Sequence, residues 1–344
     1  MKKLFVLFTA VALVAAFTLP AAAADPAAWN FYGSSRMTTF FTSPDDESAV
    51  QDNVRWDLQG NARIGANVKA GDISGRFEYG SGPNLRILWG EYDFGGGQFG
   101  IGQNYTPIDV FDSNQVFAGD EDLLSWGAMY TGRIPMAQYR TGGFKIALRK
   151  NVGISELNTD GGVKDILPAL EASYNLPVGE GRILFVGGIN TYKVDPDGVD
   201  ETVTGGMIGA SGRFPVGPVT LAANLWIGKN VGTFGMYHQT QDDPLINPIT
   251  GDLEDTDSWG GILVANFKST DMLSWELGFG YTESDNDTFL GKDDAMSYYG
   301  QAVVTIAPGF FIVPEIGVQD SGDNALGLKE GKIWYAGAKW QINF

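Results

Sequence analysis

The run NVRWDLQGNARIGANVK, residues 53 to 69, limits what this chain can fold into more than any other stretch. Val54, Trp56, Leu58, Gly60, Ala62, Ile64, Ala66 and Val68 share one parity. Asn53, Arg55, Asp57, Gln59, Asn61, Arg63, Asn67 and Lys69 share the other. A helix would spread both sets around its circumference, whereas a strand sends alternate side chains to opposite faces. At about 3.3 Å per residue, one strand through the whole run would exceed roughly 50 Å. Strands of ordinary domains hold about five or six residues. A long strand with one apolar and one polar face suits a tilted crossing of a membrane in a closed barrel.

The pattern recurs. Asn30, Tyr32, Ser34, Arg36 and Thr38 share the polar face of a run near the start of the chain. Leu221, Ala223, Leu225 and Ile227 alternate with Thr220, Ala222, Asn224 and Trp226. Leu273, Trp275, Leu277, Phe279 and Tyr281 form another such set. In the last segment, IWYAGAKWQINF, Trp334, Ala336, Ala338, Trp340, Ile342 and Phe344 take one face. Tyr335, Lys339, Gln341 and Asn343 take the other. The phase changes within LRILWGEYDF, which predicts a bulge at residues 87 to 89.

Short turns and long polar connections separate these runs and take turns along the chain. The short ones lie near residues 71, 95, 141, 177, 215, 268 and 308. The long ones lie near 42–52, 80–84, 105–124, 150–167, 193–200, 230–256, 284–294 and 320–330. Seven turns and eight loops join sixteen strands. The reading is all-β: a 16-stranded antiparallel transmembrane barrel with short turns at one end and long loops at the other. A propeller would show a repeat of about 40 residues, and the sequence has none.

The first 24 residues point the same way. MKK is basic, LFVLFTAVALVAAFTL is uncharged, and Ala22-Ala23-Ala24 fits a small-residue cleavage site. That is the layout of a secretory signal peptide, so residues 1–24 are expected to be removed and 25–344 to form one barrel domain. The formal charge is −18, and −20 without Lys2 and Lys3. A chain this acidic repels phosphate backbones, which excludes nucleic acid as a partner. There is no cysteine, and neither DPDGVDE nor SDND has the spacing of a calcium loop. No metal or cofactor is expected.

A barrel of sixteen strands is too wide for side chains to fill and should hold water. The natural narrowing element is TPIDVFDSNQVFAGDEDLLS, residues 106 to 125. Ile108, Val110, Phe111, Val116, Phe117, Leu123 and Leu124 give it apolar anchors, and Asp109, Asp112, Asp120, Glu121 and Asp122 make it acidic. Parity places Arg36, Arg55, Arg63 and Arg76 on the lumen side, with Arg86, Arg133 and Arg149 as further candidates. Cations on the wall facing carboxylates on an inserted loop would set a transverse field that favours small polar solutes. Whole-chain charge and the acidic loop together predict a weak preference for cations.

These features resemble the Gram-negative outer-membrane porins: the signal peptide, the sixteen amphipathic runs, the long third loop with PIDVFDSNQVFAGDEDLL, and the terminal WYAGAKWQINF. The resemblance implies a homotrimer with one pore per subunit, an inward third loop, and passive diffusion of small hydrophilic solutes. It also implies a wall surrounded by outer-membrane lipid and lipopolysaccharide. Trp340, Ile342 and Phe344 would form the C-terminal signal read by the barrel assembly machinery. One departure concerns the second loop, which in many members is long and grips a neighbour. Here it is GSGPN, leaving the outer wall or the loop at 230–256 for subunit contacts. Two other functions compete: a channel specific for a sugar or an anion, and a barrel hydrolase. Trp226, Tyr32 and Tyr335 are too scattered for a sugar track. Hydrolysis would rest on His238, the one histidine, near Asp242 and Asp243; it reads as a solvent-facing loop residue with no nucleophile motif beside it.

Overall fold

The computed structural model describes residues 27–45, 47, 51–82, 84–152, 164–165, 167–194 and 201–344. The expected signal peptide and all but the last residue of DPDGVDE lie outside these residues. Sixteen antiparallel strands close into a single barrel. They are β1 (Ala28–Pro44), β2 (Asn53–Leu58 and Arg63–Ala70), β3 (Ile73–Gly80), β4 (Leu85–Asp93), β5 (Gln98–Tyr105) and β6 (Arg133–Thr141). Next come β7 (Phe144–Arg149), β8 (Lys164–Asp165 and Ala169–Val178), β9 (Gly181–Val194), β10 (Glu201–Val216) and β11 (Val219–Lys229). The rest are β12 (Thr256–Lys268), β13 (Leu273–Asn286), β14 (Asp293–Ala307), β15 (Phe310–Asp320) and β16 (Lys332–Asn343). The seam pairs β1 with β16, from Ser34 opposite Asn343 to Pro44 opposite Ile333. Phe344 completes it by exchanging both backbone hydrogen bonds with Gly33. Among the described residues the barrel sheet has no free edge, which is what a backbone in hydrocarbon requires.

The seven short turns fall where the sequence places them, and the strand ends on either side of the long connections lie near the expected bounds, the third loop apart. Gly179 and Gly217 sit in two of the tight turns at φ 58° and 60°, where a Cβ would be strained. The outward face is apolar and bare: Trp29, Phe31, Ile64, Leu88, Ile101, Leu148, Leu225, Leu263, Leu277 and Trp340 are all exposed. A continuous belt of this kind is unfavourable in water and matches a lipid surface.

Three expectations are corrected. The 17-residue strand is broken. Leu58 pairs with Met37 and Arg63 with Ser34, so the four residues Gln59–Ala62 oppose only Ser35 and Arg36. Two surplus residues preserve the alternation, which is why the sequence reads as uninterrupted. The β4 bulge lies at Arg86, the residue skipped between Glu78 opposite Ile87 and Tyr79 opposite Leu85. Third, the lumen is not simply water. Loop 3 runs on to residue 132, and the start of the 230–256 loop also folds inward, carrying the short helix Val231–Phe234. Ile108, Val110 and Met129 of loop 3 pack with Val231, Phe234 and Met236 against Trp226 and Met207 of the wall. Val116, Leu123 and Trp126 pack against Ile262, Val264, Tyr299 and Tyr335. The 230–256 loop is therefore committed to the lumen in its first part and does not reach outward there.

Candidate functional site

Loop 3 leaves β5 at Thr106 and crosses the interior before rejoining the wall at β6. Its base is clamped by Asp109, whose carboxylate accepts from the backbone N–H of Thr106 (2.8 Å), Thr131 (2.6 Å) and Gly132 (3.0 Å). Asp109 thus ties the two ends of the loop together and does not face the arginines. Burial pushes its carboxyl up to about 7 against the pull of these donors. Asp112 also turns away, accepting from Ser211 Oγ of β10 at 2.6 Å with Arg182 at 4.0 Å.

The middle of the loop is held by carboxylates of the far wall. Glu276 of β13 accepts from Asn114 N (2.9 Å), and Glu315 of β15 accepts from Val116 N (2.7 Å) and Phe117 N (3.0 Å). Gln115 is fully buried; it donates to Tyr335 Oη at 2.8 Å and accepts from Leu123 N at 3.2 Å. The Phe117 ring stacks on Tyr335 with centroids 3.8 Å apart. Of the expected apolar anchors, Ile108, Val110, Val116 and Leu123 are buried, Phe117 and Leu124 are half-buried, and Phe111 stands exposed.

Fixed on that side, the loop presents a strained tip. Ala118, Asp120, Asp122 and Leu123 all have positive φ, between 51° and 61°. Such residues each cost on the order of 1 kcal/mol or more and persist only where surrounding contacts over-determine them. Those contacts converge on Asp120. Its carboxylate pairs with Arg36 and with Lys339 Nζ (3.0 Å). It also accepts from Gln59 Nε2 (2.9 Å) and Asn61 Nδ2 (2.7 Å). Gln59 further donates to the carbonyl of Val116 at 3.2 Å. The break in β2 explains this reach: the extra residues Gln59–Ala62 lean toward the tip. Opposite charges hold the Asp120 carboxyl below the usual carboxylate range despite its burial. Burial pushes Glu121 up and Asp122 well up.

The expected arginines divide. Arg63 (3.6 Å), Arg76 (2.8 Å) and Arg86 (2.7 Å) converge on one buried carboxylate, Glu78 of β3. Tyr32 Oη also donates to Glu78 at 2.8 Å. Arg133 donates to Tyr105 Oη at 3.0 Å and lies over that ring. Arg55 stands opposite Phe40 in register, exposed and apart from this group. Arg149 is buried on the lumen side beneath the inward helix, paired with Glu171, bonded to the Phe234 carbonyl and lying over the Phe234 ring. Between wall and tip remains a cavity of about 610 Å³. Five cations (Arg36, Arg63, Arg86, Arg133, Lys339) and three carboxylates (Asp120, Glu121, Asp122) line it.

Sequence reasoning missed several of these partners. Lys339 was legible as channel-facing by parity, but not as a partner of Asp120. Glu276 lies between Trp275 and Leu277, and Glu315 between Pro314 and Ile316, a signal for an inward anchor. Tyr130 and Tyr237, which also line the cavity, carry no local signal. His238 is not solvent-facing as expected. Its ring packs edge-on to Trp226 (5.3 Å), and its nitrogens bond Thr240 Oγ1 (2.7 Å) and Thr282 Oγ1 (2.6 Å). Burial lowers its pKa to about 4.

No family model matches the sequence, and no curated protein does. Solved structures do. The outer membrane channel DcaP of Acinetobacter baumannii aligns with a TM-score of 0.73 at 17% identity, covering 92% of this chain and 97% of that one. OmpT of Vibrio cholerae, an outer membrane protein in its trimer form, aligns at 0.59 and 14%, covering 92% and 100%. An anion-selective porin from Comamonas acidovorans aligns at 0.61 and 13%, covering 93% and 100%. Identities this low speak to architecture alone, and on that ground the chain has the sixteen-stranded barrel fold of the outer-membrane porins.

Proposed function

We propose that this chain forms a water-filled channel through an outer membrane, for passive diffusion of small hydrophilic solutes and ions, and that it is not an enzyme. One observation carries the reading: a charge-lined cavity remains open between the arginine wall and a loop anchored to the opposite wall. Ionised groups facing each other across water orient dipolar solutes, while bulky apolar solutes must displace ordered water. The apolar outer belt supports a place in lipid, with lipopolysaccharide around the loop-bearing end. His238 is bonded to the hydroxyls of Thr240 and Thr282 and packed on the Trp226 indole, and among the described residues no carboxylate is bonded to its ring to orient it as a base.

A homotrimer is part of the same reading, supported by the trimer form of a structurally similar outer membrane protein. With a second loop of only a few residues, its contacts fall to the outer wall. Trp340, Ile342 and Phe344 point outward at the seam, all exposed, as a motif read by the barrel assembly machinery would be. The whole-chain charge draws cations to the channel mouths, and the constriction decides which ions cross. The purified protein in a planar bilayer tests all of this. Stepwise ohmic conductance with closure in threes is expected; a protein that inserts but never conducts would overturn the channel reading.

A further inference from the structure

The constriction differs in two respects from a simple field between opposite charges. Its cations outnumber its carboxylates. Asp120 already serves both Arg36 and Lys339, and one buried Glu78 serves three arginines. Arg133 has no carboxylate partner among the described residues; its contacts are the hydroxyl and ring of Tyr105. An arginine facing a cavity with unused N–H donors binds carboxylates in bidentate geometry.

The second respect is an aromatic shelf beside this cation. Tyr105, Phe111, Tyr130 and Tyr237 form a continuous set: Tyr105–Phe111 at 5.1 Å, Phe111–Tyr130 at 5.6 Å and Tyr130–Tyr237 at 4.9 Å between centroids. All four line the same cavity. Phe111 and Tyr237 remain 40% and 50% exposed. Ring surface left bare inside a channel, next to an unneutralised guanidinium, is out of place in a pore that only sieves polar solutes. The shelf is assembled from β5, loop 3 and the 230–256 loop, so no single stretch of sequence shows it.

Resting on the channel reading, we propose that the constriction is a binding site for aromatic carboxylates. The carboxylate is held by Arg133 with Arg86 and Arg63 behind it, and the ring lies against Phe111 and Tyr237. The channel accordingly prefers anions, reversing the weak cation preference expected from whole-chain charge. Most acidic residues behind that charge lie in the long loops or are engaged in anchoring loop 3. Burial also favours the neutral forms of Glu121 and Asp122, which weakens the negative rim further.

Bilayer recordings on the full-length channel decide the matter. In a potassium chloride gradient, the reversal potential should take the sign of chloride preference. Benzoate should reduce the current at a concentration roughly tenfold below that needed for acetate, the contribution of one ring contact. Arg133→Gln should raise the blocking concentration of both, and Phe111→Ala should bring benzoate to the level of acetate. Lys292→Gln, at the exposed loop end, serves as the control and should change neither. A conducting pore that prefers potassium, or that benzoate and acetate block alike, would overturn the site while leaving the channel intact. Stronger block by a neutral sugar than by benzoate would overturn it in favour of a sugar site. Absence of any conductance would instead sink the channel reading on which the site rests.

Discussion

The two sides of the barrel interior obey opposite rules. Toward β8 to β15, loop 3 and the 230–256 loop pack Ile108, Met129, Phe234 and Leu123 into a dry core with Trp226, Ile262 and Val264. Toward β1 to β6, the wall carries Arg36, Arg63, Arg86 and Arg133 around a wet cavity of about 610 Å³. Each side needs the other. A loop as acidic as this would not hold one position in water. Anchored by apolar burial and by Glu276 and Glu315 on one side, it can hold a strained, charged tip at fixed distance from the other. The solute path is therefore eccentric, and its width is set by packing that the solute never touches.

The largest effect should come from wetting the dry side. Met129→Asp places a carboxylate among Ile108, Val110, Trp226 and Phe234. An unpaired buried charge costs several kcal/mol, so loop 3 should lose its seat. We expect little folded protein by heat-modifiability on gels, and a wider, noisier conductance in any pores recovered.

Next is the contact that joins the two sides. Asp120→Asn removes the partner of Arg36 and Lys339, both mostly shielded from solvent. Breaking one side of such a pair costs about 2–4 kcal/mol after allowing for partial hydration. The tip should detach while the dry core stays intact. Conductance should rise and anion preference increase, both read in one bilayer experiment. An unchanged conductance would mean the tip is held by its backbone alone.

A pH dependence on the dry side should be somewhat smaller. His238 is neutral when folded, with its pKa lowered from 6.5 to about 4. The unfolded chain binds the extra proton between those values, so stability falls as pH drops from about 6.5 toward 4 and is fully present above 6.5. The loss amounts to at most about 3 kcal/mol. Asp109, with its carboxyl raised to about 7, contributes with the opposite sign over this range, so the His238 contribution is read as the difference between the native protein and His238→Asn in urea unfolding from vesicles.

The smallest effect is at the tip backbone. Ala118, at φ 53° and ψ −116°, lies in a region open mainly to glycine. Ala118→Gly should stabilise the folded state by about 1 kcal/mol or less, since relief of strain is partly offset by a freer unfolded chain. The same urea titration measures it.

Much of the fold was legible because the information is local. Each strand carries its own alternation, and six of the seven short turns carry a glycine or proline, the exception being Lys268–Asp271. The break at Gln59–Ala62 escaped notice because an even number of surplus residues leaves parity untouched. The constriction was half legible. Arg36, Arg63, Arg86 and Arg133 fall on the lumen face by parity, yet nothing local distinguishes them from Arg55, which lies apart, or Arg149, which is buried against Glu171. Likewise Asp109 and Asp112 share a loop with Asp120, but serve to clamp and anchor it rather than face the wall.

The sequence alone determined which residues form strands, which of their faces meets lipid, and that the third loop is both apolar and acidic. These follow from a two-residue period and from composition, and need no partner to be read. The tertiary structure decided what fills the lumen and which charges meet. Asp120 and Lys339 are 219 residues apart, and Gln115 and Tyr335 are 220 apart. Such pairs exist only once β16 closes on β1 and brings the two ends of the chain to one wall. No local pattern encodes that meeting, because it depends on the circumference and register of the whole barrel.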